Sequence, residues 1–396
     1  MAPEAGGPPV VAAGLAGALA DRGHSLAIAT VESPGQSPIP LHPAVTLHSF
    51  PLTGSPRYAA SRPLDQWLTD HTSDFDILHL HGIWQFPTFA AAHAARKNRI
   101  PYITVPHGML DRYSIQQRSG LLKRIYWFYR ERAIHAHAAA IHCLNQAEID
   151  NAVPWIHAFP KFILPNGIFQ SELDHLPAKG LFRNAHPTIA DRPMILFLSR
   201  VHPKKGLDRL IPAWQCVAEK LPDSLLAIAG TGELDYLAHI NNLIAPNNLQ
   251  KNILLVGQLK AEKKWQALVD ADLFVLPSHQ EGFSMAITEA LAASCPVIAT
   301  KECNFDELAS PPPCGIIIEN GDMSTFTAAA IELLSNPAKR AQFAAAARAL
   351  VQARYTWEKI AASLEQTYYQ LLSACQPPAL PGVLTSAERT PGRAEG

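Results

Sequence analysis

The chain has 396 residues, enough for two to three domains of about 150 residues and too many for one small binding module. Its 48% hydrophobic and 17% charged composition is that of a globular protein, not of a disordered or membrane-immersed one. The 33 basic residues nearly cancel 34 acidic ones, so no general field gathers phosphate backbones and nucleic acid is an excluded partner on this reading.

Residues 10–20 form an apolar run too short to span about 30 Å of hydrocarbon. The preceding MAPEAGGPP has no basic residue, as a secretory signal would. Six cysteines without a C-x-x-C pair are expected to be reduced thiols of a cytoplasmic protein. In chain order, a helix closes at Gly23, and SLAIAT, VTLHSF, DILHL, YITVP, AAIHCL and KFILP are predicted strands. Helical stretches lie near 61–72, 86–98, 118–137 and 145–152. Residues 165–193 hold four prolines and no sustained period, which marks a boundary. A second series follows: MILFLS, LLAIAG, ILLVG, LFVLP, PVIAT and GIIIE, with helices between them and two more after the last strand.

Alternating strands and helices predict parallel sheets. The expected fold is α/β, two facing doubly wound Rossmann-like domains with a ligand-binding cleft at the carboxyl ends of their strands. The expected division is 1–170 for the N-terminal domain and 171–355 for the C-terminal domain. A helix at 356–375 should pack back on the first domain, and 376–396 should be a disordered tail.

No G-x-G-x-x-G follows a strand, and neither a Walker A sequence nor a G-x-S-x-G elbow occurs. His79 and His81 in DILHLHG are read as pointing to opposite faces of their strand and hence as structural, so no metal site is expected. The richest stretch is LFVLPSHQEGFSMAITEALAASCPVIAT, 273–300. A buried strand ends there, a loop carries Glu281 and Gly282, and a helix begins near Ser284 and includes Glu289. Eight residues along a helix correspond to a rise of about 12 Å and an offset of about 80°, which suits two separate polyol groups better than one acid/base pair. The amides of Phe283, Ser284 and Met285 lie at the helix N-terminus, where a phosphate is favoured. Hydroxyl, phosphate, hydroxyl is the order of groups along a nucleotide-sugar. Upstream, MILFLSRVHPKKGLDRL puts Arg200 and Lys205 on another strand-to-helix loop, a planar fork and a point charge able to meet a diphosphate. Ordinary surface charges are the competing reading of each stretch alone.

Together, GGPPVVAAGLAGALADRGH, HGIWQFP, PHGML, PNGI, LSRVHPKKGL, AGTGEL, VGQL and EGFSMAITEALAASCPVIAT resemble family 4 of the retaining glycosyltransferases, which have the GT-B fold. The likeness covers about residues 5–373 in the family's order, and it implies an acceptor-side N-terminal domain, a nucleotide-sugar-binding C-terminal domain and a donor site in the cleft between them. It implies that Arg200 and Lys205 bind the donor diphosphate, that Glu281 contacts the donor sugar and that Glu289 holds the ribose. It also implies that the residues between them offer amides to the diphosphate. His107 would lie near the transferred sugar, and Gly6 and Gly7 would form a loop by the phosphates. The implied reaction moves a hexose from a nucleoside diphosphate sugar to a glycan or lipid-linked acceptor with retention, needing no metal and no cofactor beyond the donor. Phe169, the FSMAI run and Ser294 depart from the pattern, where the family often has Asp after PNGI, Gly after the Phe, and Gly before PVI.

The segment LLKRIYWFYRERAIHAH, 121–137, is basic and aromatic. A complete apolar period over Leu121, Leu122, Ile125, Phe128 and Tyr129 predicts a face packed on the sheet. The alternative is a helix lying on the inner face of a membrane, where a lipid-linked acceptor would be presented. Rival functions are a silent nucleotide-sugar-binding or partner subunit, a two-lobed solute-binding protein and a glycoside phosphorylase. A doubly wound domain should have a hydrophobic strand before the GG loop, and only MAPEA precedes Gly6. The expectation is therefore that the first strand of the first sheet is missing from the chain as written.

Overall fold

The computed structural model describes residues 7–32, 39–111, 114–115, 120–246 and 249–375. Gly6 and the segment 376–396 lie outside them. The chain forms α/β layers with parallel sheets throughout.

The first half opens with α1 (Gly7–Asp21), which leads into β1 (Leu26–Val31) and β2 (Val45–Phe50), a two-stranded parallel sheet. Then come α2 (Arg62–His71), β3 (Leu78–His81), α3 (Phe86–Asn98) and β4 (Tyr102–Val105). Helix α4 is continuous over Gly120–Tyr126, a wider π turn at Trp127–Glu131, and Arg132–His137. It is followed by β5 (Ala140–Cys143), α5 (Gln146–Ile156) and β6 (Lys161–Ile163). Strands β3-β4-β5-β6 form a second parallel sheet in that order, and among the described residues no ladder joins it to β1-β2. The YITV and AIHC runs are buried on both faces, as strands between helical layers must be.

Short helices α6 (Gln170–Asp174) and α7 (Leu181–Ala185) lead to the second half. There β7 (Met194–Leu198), α8 (Leu207–Lys220), β8 (Leu225–Ala229), α9 (Leu234–Ile244), β9 (Ile253–Gly257) and α10 (Glu262–Asp270) alternate. They continue through β10 (Leu273–Leu276), α11 (Met285–Ala292), β11 (Val297–Thr300), β12 (Gly315–Ile318), α12 (Met323–Ser335) and α13 (Pro337–Arg354). All six strands join one sheet, β12-β11-β10-β7-β8-β9. Trp214, Phe197, Phe274 and Phe326 are fully buried in a core continuous across it.

Helix α14 (Trp357–Cys375) returns to the first half. Trp357, Ile360, Ala361 and Leu364 pack against Val11, Leu15, Ala18 and Leu19 of α1. A Cβ on Gly14 would collide with the Trp357 ring at 2.6 Å, so glycine is what lets the indole sit on α1. Phe169 joins this contact, its ring 6.5 Å from that of Trp357, so the residue that departs from the family pattern serves packing. The two segments joining the halves run side by side. The Ile168 N–H donates to the Tyr355 carbonyl (2.9 Å) and the Trp357 N–H to that of Ile168 (3.0 Å).

The outer face of α4 corrects one expectation. Leu121, Leu122, Phe128 and Tyr129 are 73%, 66%, 76% and 82% exposed, and Ile125 is also exposed. The complete apolar period is real, but the face packed inward carries Trp127, Glu131, Ile134 and His135 instead. Periodicity identifies a stripe and not the side on which its partner lies.

Candidate active site

The loops after β4 and β10 meet across the two halves. His107 and Gly108 both take left-handed backbone conformations (φ 53° and 71°), which turns the chain sharply after Pro106. One buried carboxylate ties that turn to the loop after β5. The Glu148 carboxylate accepts from Gly108 N–H at 2.5 Å and from Leu144 N–H at 2.6 Å. Burial pushes the Glu148 carboxyl above its usual pKa, against the pull of these two donors. Asn145 caps α5 by accepting from Glu148 N–H, and its Nδ2 donates to the Gly282 carbonyl of the other half at 2.7 Å. Gln280 Nε2 likewise donates to Asp111 Oδ2 at 2.6 Å. Gly108 and Gly282 are nearly in contact: a Cβ on Gly108 would stand 3.0 Å from the Gly282 Cα. The halves therefore touch backbone to backbone at this point.

Just inside that contact, Lys205 Nζ donates to Glu281 Oε1 at 2.5 Å, and Ser278 Oγ donates to the same oxygen at 2.6 Å. Asn304 Nδ2 and the Glu302 carbonyl fix the Glu281 backbone. Lys205 lies in a short turn ended by Gly206 (φ 73°), where any Cβ would fall 2.0 Å from the Pro277 carbonyl oxygen. The β7 loop is thus pressed against the β10 loop, which brings Lys205 to Glu281. Arg200 is exposed on the same loop. Burial lowers the pKa of the neighbouring Lys204, an effect that Glu281 and Asp111 oppose.

Helix α11 begins at Met285 with Ser284 as its cap, the Ser284 hydroxyl accepting from Ile287 N–H. First-turn amides have no intrahelical acceptor, so those of Met285 and Ala286 face outward beside Gly282 and Phe283. Glu289 stands a turn further on, where Lys264 Nζ donates to it at 2.6 Å. The two carboxylates of the E-x7-E stretch therefore face different cations in different places. Gly7 is the first residue of α1, and a Cβ there would meet open space.

Beside His107 runs a row of histidines that overturns the expectation for His79 and His81. Residues two apart on a strand share a face, and these two rings lie 4.8 Å apart. His81 Nδ1 is 3.0 Å from His107 Nε2, and His79 Nε2 is 3.2 Å from His142 Nδ1. His142 Nε2 faces the Leu164 carbonyl at 2.7 Å, which can only accept. In the neutral row His142 therefore carries its proton on Nε2, accepts from His79 on Nδ1, and leaves His79 Nδ1 to accept from the Tyr368 hydroxyl at 2.6 Å. Burial lowers all four pKa values, to about 3 for His107 and about 4 for His142. Among the described residues no group of three or more His, Cys, Asp or Glu side chains is arranged to hold a metal ion.

Two family models match the chain in this order: "Glycosyl transferase 4-like domain" over residues 6–167 and "Glycosyl transferases group 1" over residues 179–350. The chain belongs to the family 4 glycosyltransferases. A "GDP-mannose-dependent monoacylated alpha-(1-6)-phosphatidylinositol monomannoside mannosyltransferase" of Corynebacterium glutamicum is 33% identical over 173 residues, 42% of this chain and 44% of that one. The chain spans about half the length of the first curated mannosyltransferases it matches. An "N-acetyl-alpha-D-glucosaminyl L-malate synthase" of Bacillus anthracis is 22% identical over 93% of this chain and 95% of its own. Among solved structures, a sucrose-phosphate synthase of Thermosynechococcus elongatus superposes with TM-score 0.75 at 22% identity, covering 93% of this chain and 94% of that one. WaaG, a glycosyltransferase involved in lipopolysaccharide biosynthesis, superposes with TM-score 0.68 at 18% identity, covering 91% and 96%. The fold of this family 4 chain is GT-B.

Sequence patterns missed Asn145, Asp111 and Gln280, which fasten the two halves at the site, and Glu148, which holds the Gly108 turn. Asn145-x-x-Glu148 is an N-terminal capping signature and was legible as such. Its second role depends on a partner more than a hundred residues away and has no local signal.

Proposed function

We propose that the protein is a retaining glycosyltransferase that moves a hexose from a nucleoside diphosphate sugar to a glycan or lipid-linked acceptor, with no metal ion and no cofactor beyond the donor. The observation that carries this reading is the Lys205–Glu281 pair beside the N-terminus of α11, with Arg200 on the adjoining loop. Negative charge grows on the departing diphosphate, and fixed cations and amides aimed at it are worth most where water is largely excluded. Lys205 and Glu281 side chains are 13% and 11% exposed, so both are screened little. Donor binding would shift Lys205 toward phosphate and free Glu281 for sugar hydroxyls. Glu289 would take the ribose diol, and Met285 and Ala286 N–H the phosphate oxygens. The curated relatives that use GDP-mannose support a nucleotide-sugar donor. His107, neutral and held by His81, would border the transferred sugar as a hydrogen-bonding wall.

The test is a thermal-shift and turnover panel with GDP-, UDP- and ADP-sugars in the presence of a chelator, with the anomeric configuration of the product read by NMR. Donor at about a hundred times its dissociation constant should stabilise the fold by about 2.7 kcal/mol. Absence of any shift and of any nucleoside diphosphate release would overturn the reading, and an inverted product would overturn retention alone.

A further inference from the structure

We propose that the outer face of α4 docks on an anionic lipid bilayer, and that the groove beside it takes the phosphate of a phospholipid headgroup. Five large apolar side chains, Leu121, Leu122, Ile125, Phe128 and Tyr129, are exposed within nine residues of one helix. Single exposed apolar residues are ordinary, whereas a contiguous stripe marks an interaction surface.

Charge decides the occupant. Residues 120–137 carry Lys123, Arg124, Arg130 and Arg132, and their single acid, Glu131, is turned inward and 1% exposed. The outward charge of the helix is therefore purely cationic. Arg130 is committed to the Tyr58 hydroxyl and the Phe89 ring. Arg124 and Arg132 instead line a groove of about 360 Å³ whose walls are Trp127, Phe128, Trp155 and Phe159. Two guanidinium groups over an aromatic floor match an anionic head on an apolar tail. An exposed aromatic and aliphatic stripe flanked by a cationic groove is the composition of a helix lying in the plane of a membrane interface. Trp127 ties this face to the site: its ring contacts that of Trp84, and it shares a core cluster with Leu110, three residues beyond His107. A docked helix would hold that lip of the cleft against the lipid surface. The inference does not depend on the proposed reaction, because it is read from binding and not from turnover.

The experiment is co-sedimentation of the full chain with phosphatidylcholine vesicles containing or lacking phosphatidylglycerol. Binding is expected only to the anionic vesicles, weakening as salt is raised. Arg124→Gln with Arg132→Gln should reduce it by about tenfold or more, and Leu122→Ser with Phe128→Ser by at least as much. Leu234→Ser, at an equally exposed leucine elsewhere, should leave it unchanged. All these positions are at the surface, so thermal melts should match the parent. Equal binding to neutral vesicles, or full binding by either double variant, would overturn the proposal. So would a dimer in solution that Phe128→Ser dissociates, which would assign the face to a second copy.

Discussion

The strands of the second half form one six-stranded sheet with one continuous core, whereas those of the first half fall into sheets of two and four strands with three smaller clusters. One of those clusters is completed only by α14, which arrives after the whole second half has been crossed. The halves thus differ in how widely a local change spreads. The second half holds Lys205, Glu281 and Glu289 on loops anchored to a single core, and the first brings His107 to them on a scaffold of separable pieces.

The largest test of that contrast is cavity formation. Trp214→Ala should cost about 3–5 kcal/mol and lower hydrogen-exchange protection across the whole second half. Leu364→Ala should instead expose α1 and α14 and leave β7 to β12 protected; loss of protection in both halves would show that they are one cooperative unit. Next comes the site. Lys205→Ala and Glu281→Ala should each cut turnover by about 10²–10³, and turnover within threefold of the parent would place the chemistry elsewhere. Gly108→Ala must adopt φ 71° and press on Gly282. Its expected cost is about 1–2 kcal/mol in stability, together with a more open shape in small-angle scattering.

Within the first half, titration separates two buried groups by sign. Burial raises Glu131, which accepts from Trp84 N–H at 2.8 Å, to about 7. A carboxyl raised in the fold retains a proton that the unfolded chain has lost, so its contribution falls as pH rises from about 4.5 to 7. Glu131→Gln should therefore be more stable than the parent at pH 8 by about 1–3 kcal/mol and equal to it near pH 4. His142 runs the other way. Its depressed pKa means that the unfolded chain binds the extra proton between about 6.5 and 4, so stability is lost as pH falls through that window. His142→Gln should flatten this acid limb of the melting profile. The smallest effect belongs to Ser294, which closes α11 at φ 60° where glycine is strain-free. Ser294→Gly should add about 0.5 kcal/mol, measurable by denaturant titration.

Much of this was legible in the chain. The aliphatic runs from YITV to GIII became strands because buried parallel strands need no alternation, and the loops after β7 and β10 followed from the strand-to-helix change of period. The resemblance assigned Lys205 and Glu281 to one site with separate roles, but no local signal announced their direct contact, since 76 residues separate the pair. Two misreadings have plain causes. The His79/His81 expectation confused neighbouring residues with alternate ones, and the outward face of α4 could not be inferred from a periodicity that is blind to direction.

The paired segments at Ile168 and Tyr355–Trp357 carry a mechanical consequence. A body joined to another by one strand can swivel about several axes. Two strands clasped by backbone bonds leave bending as the soft direction and make twisting stiff. The glycine lips at 108 and 282 should then part and meet along one repeatable arc, so that each closure returns His107 to the same place beside Gly282.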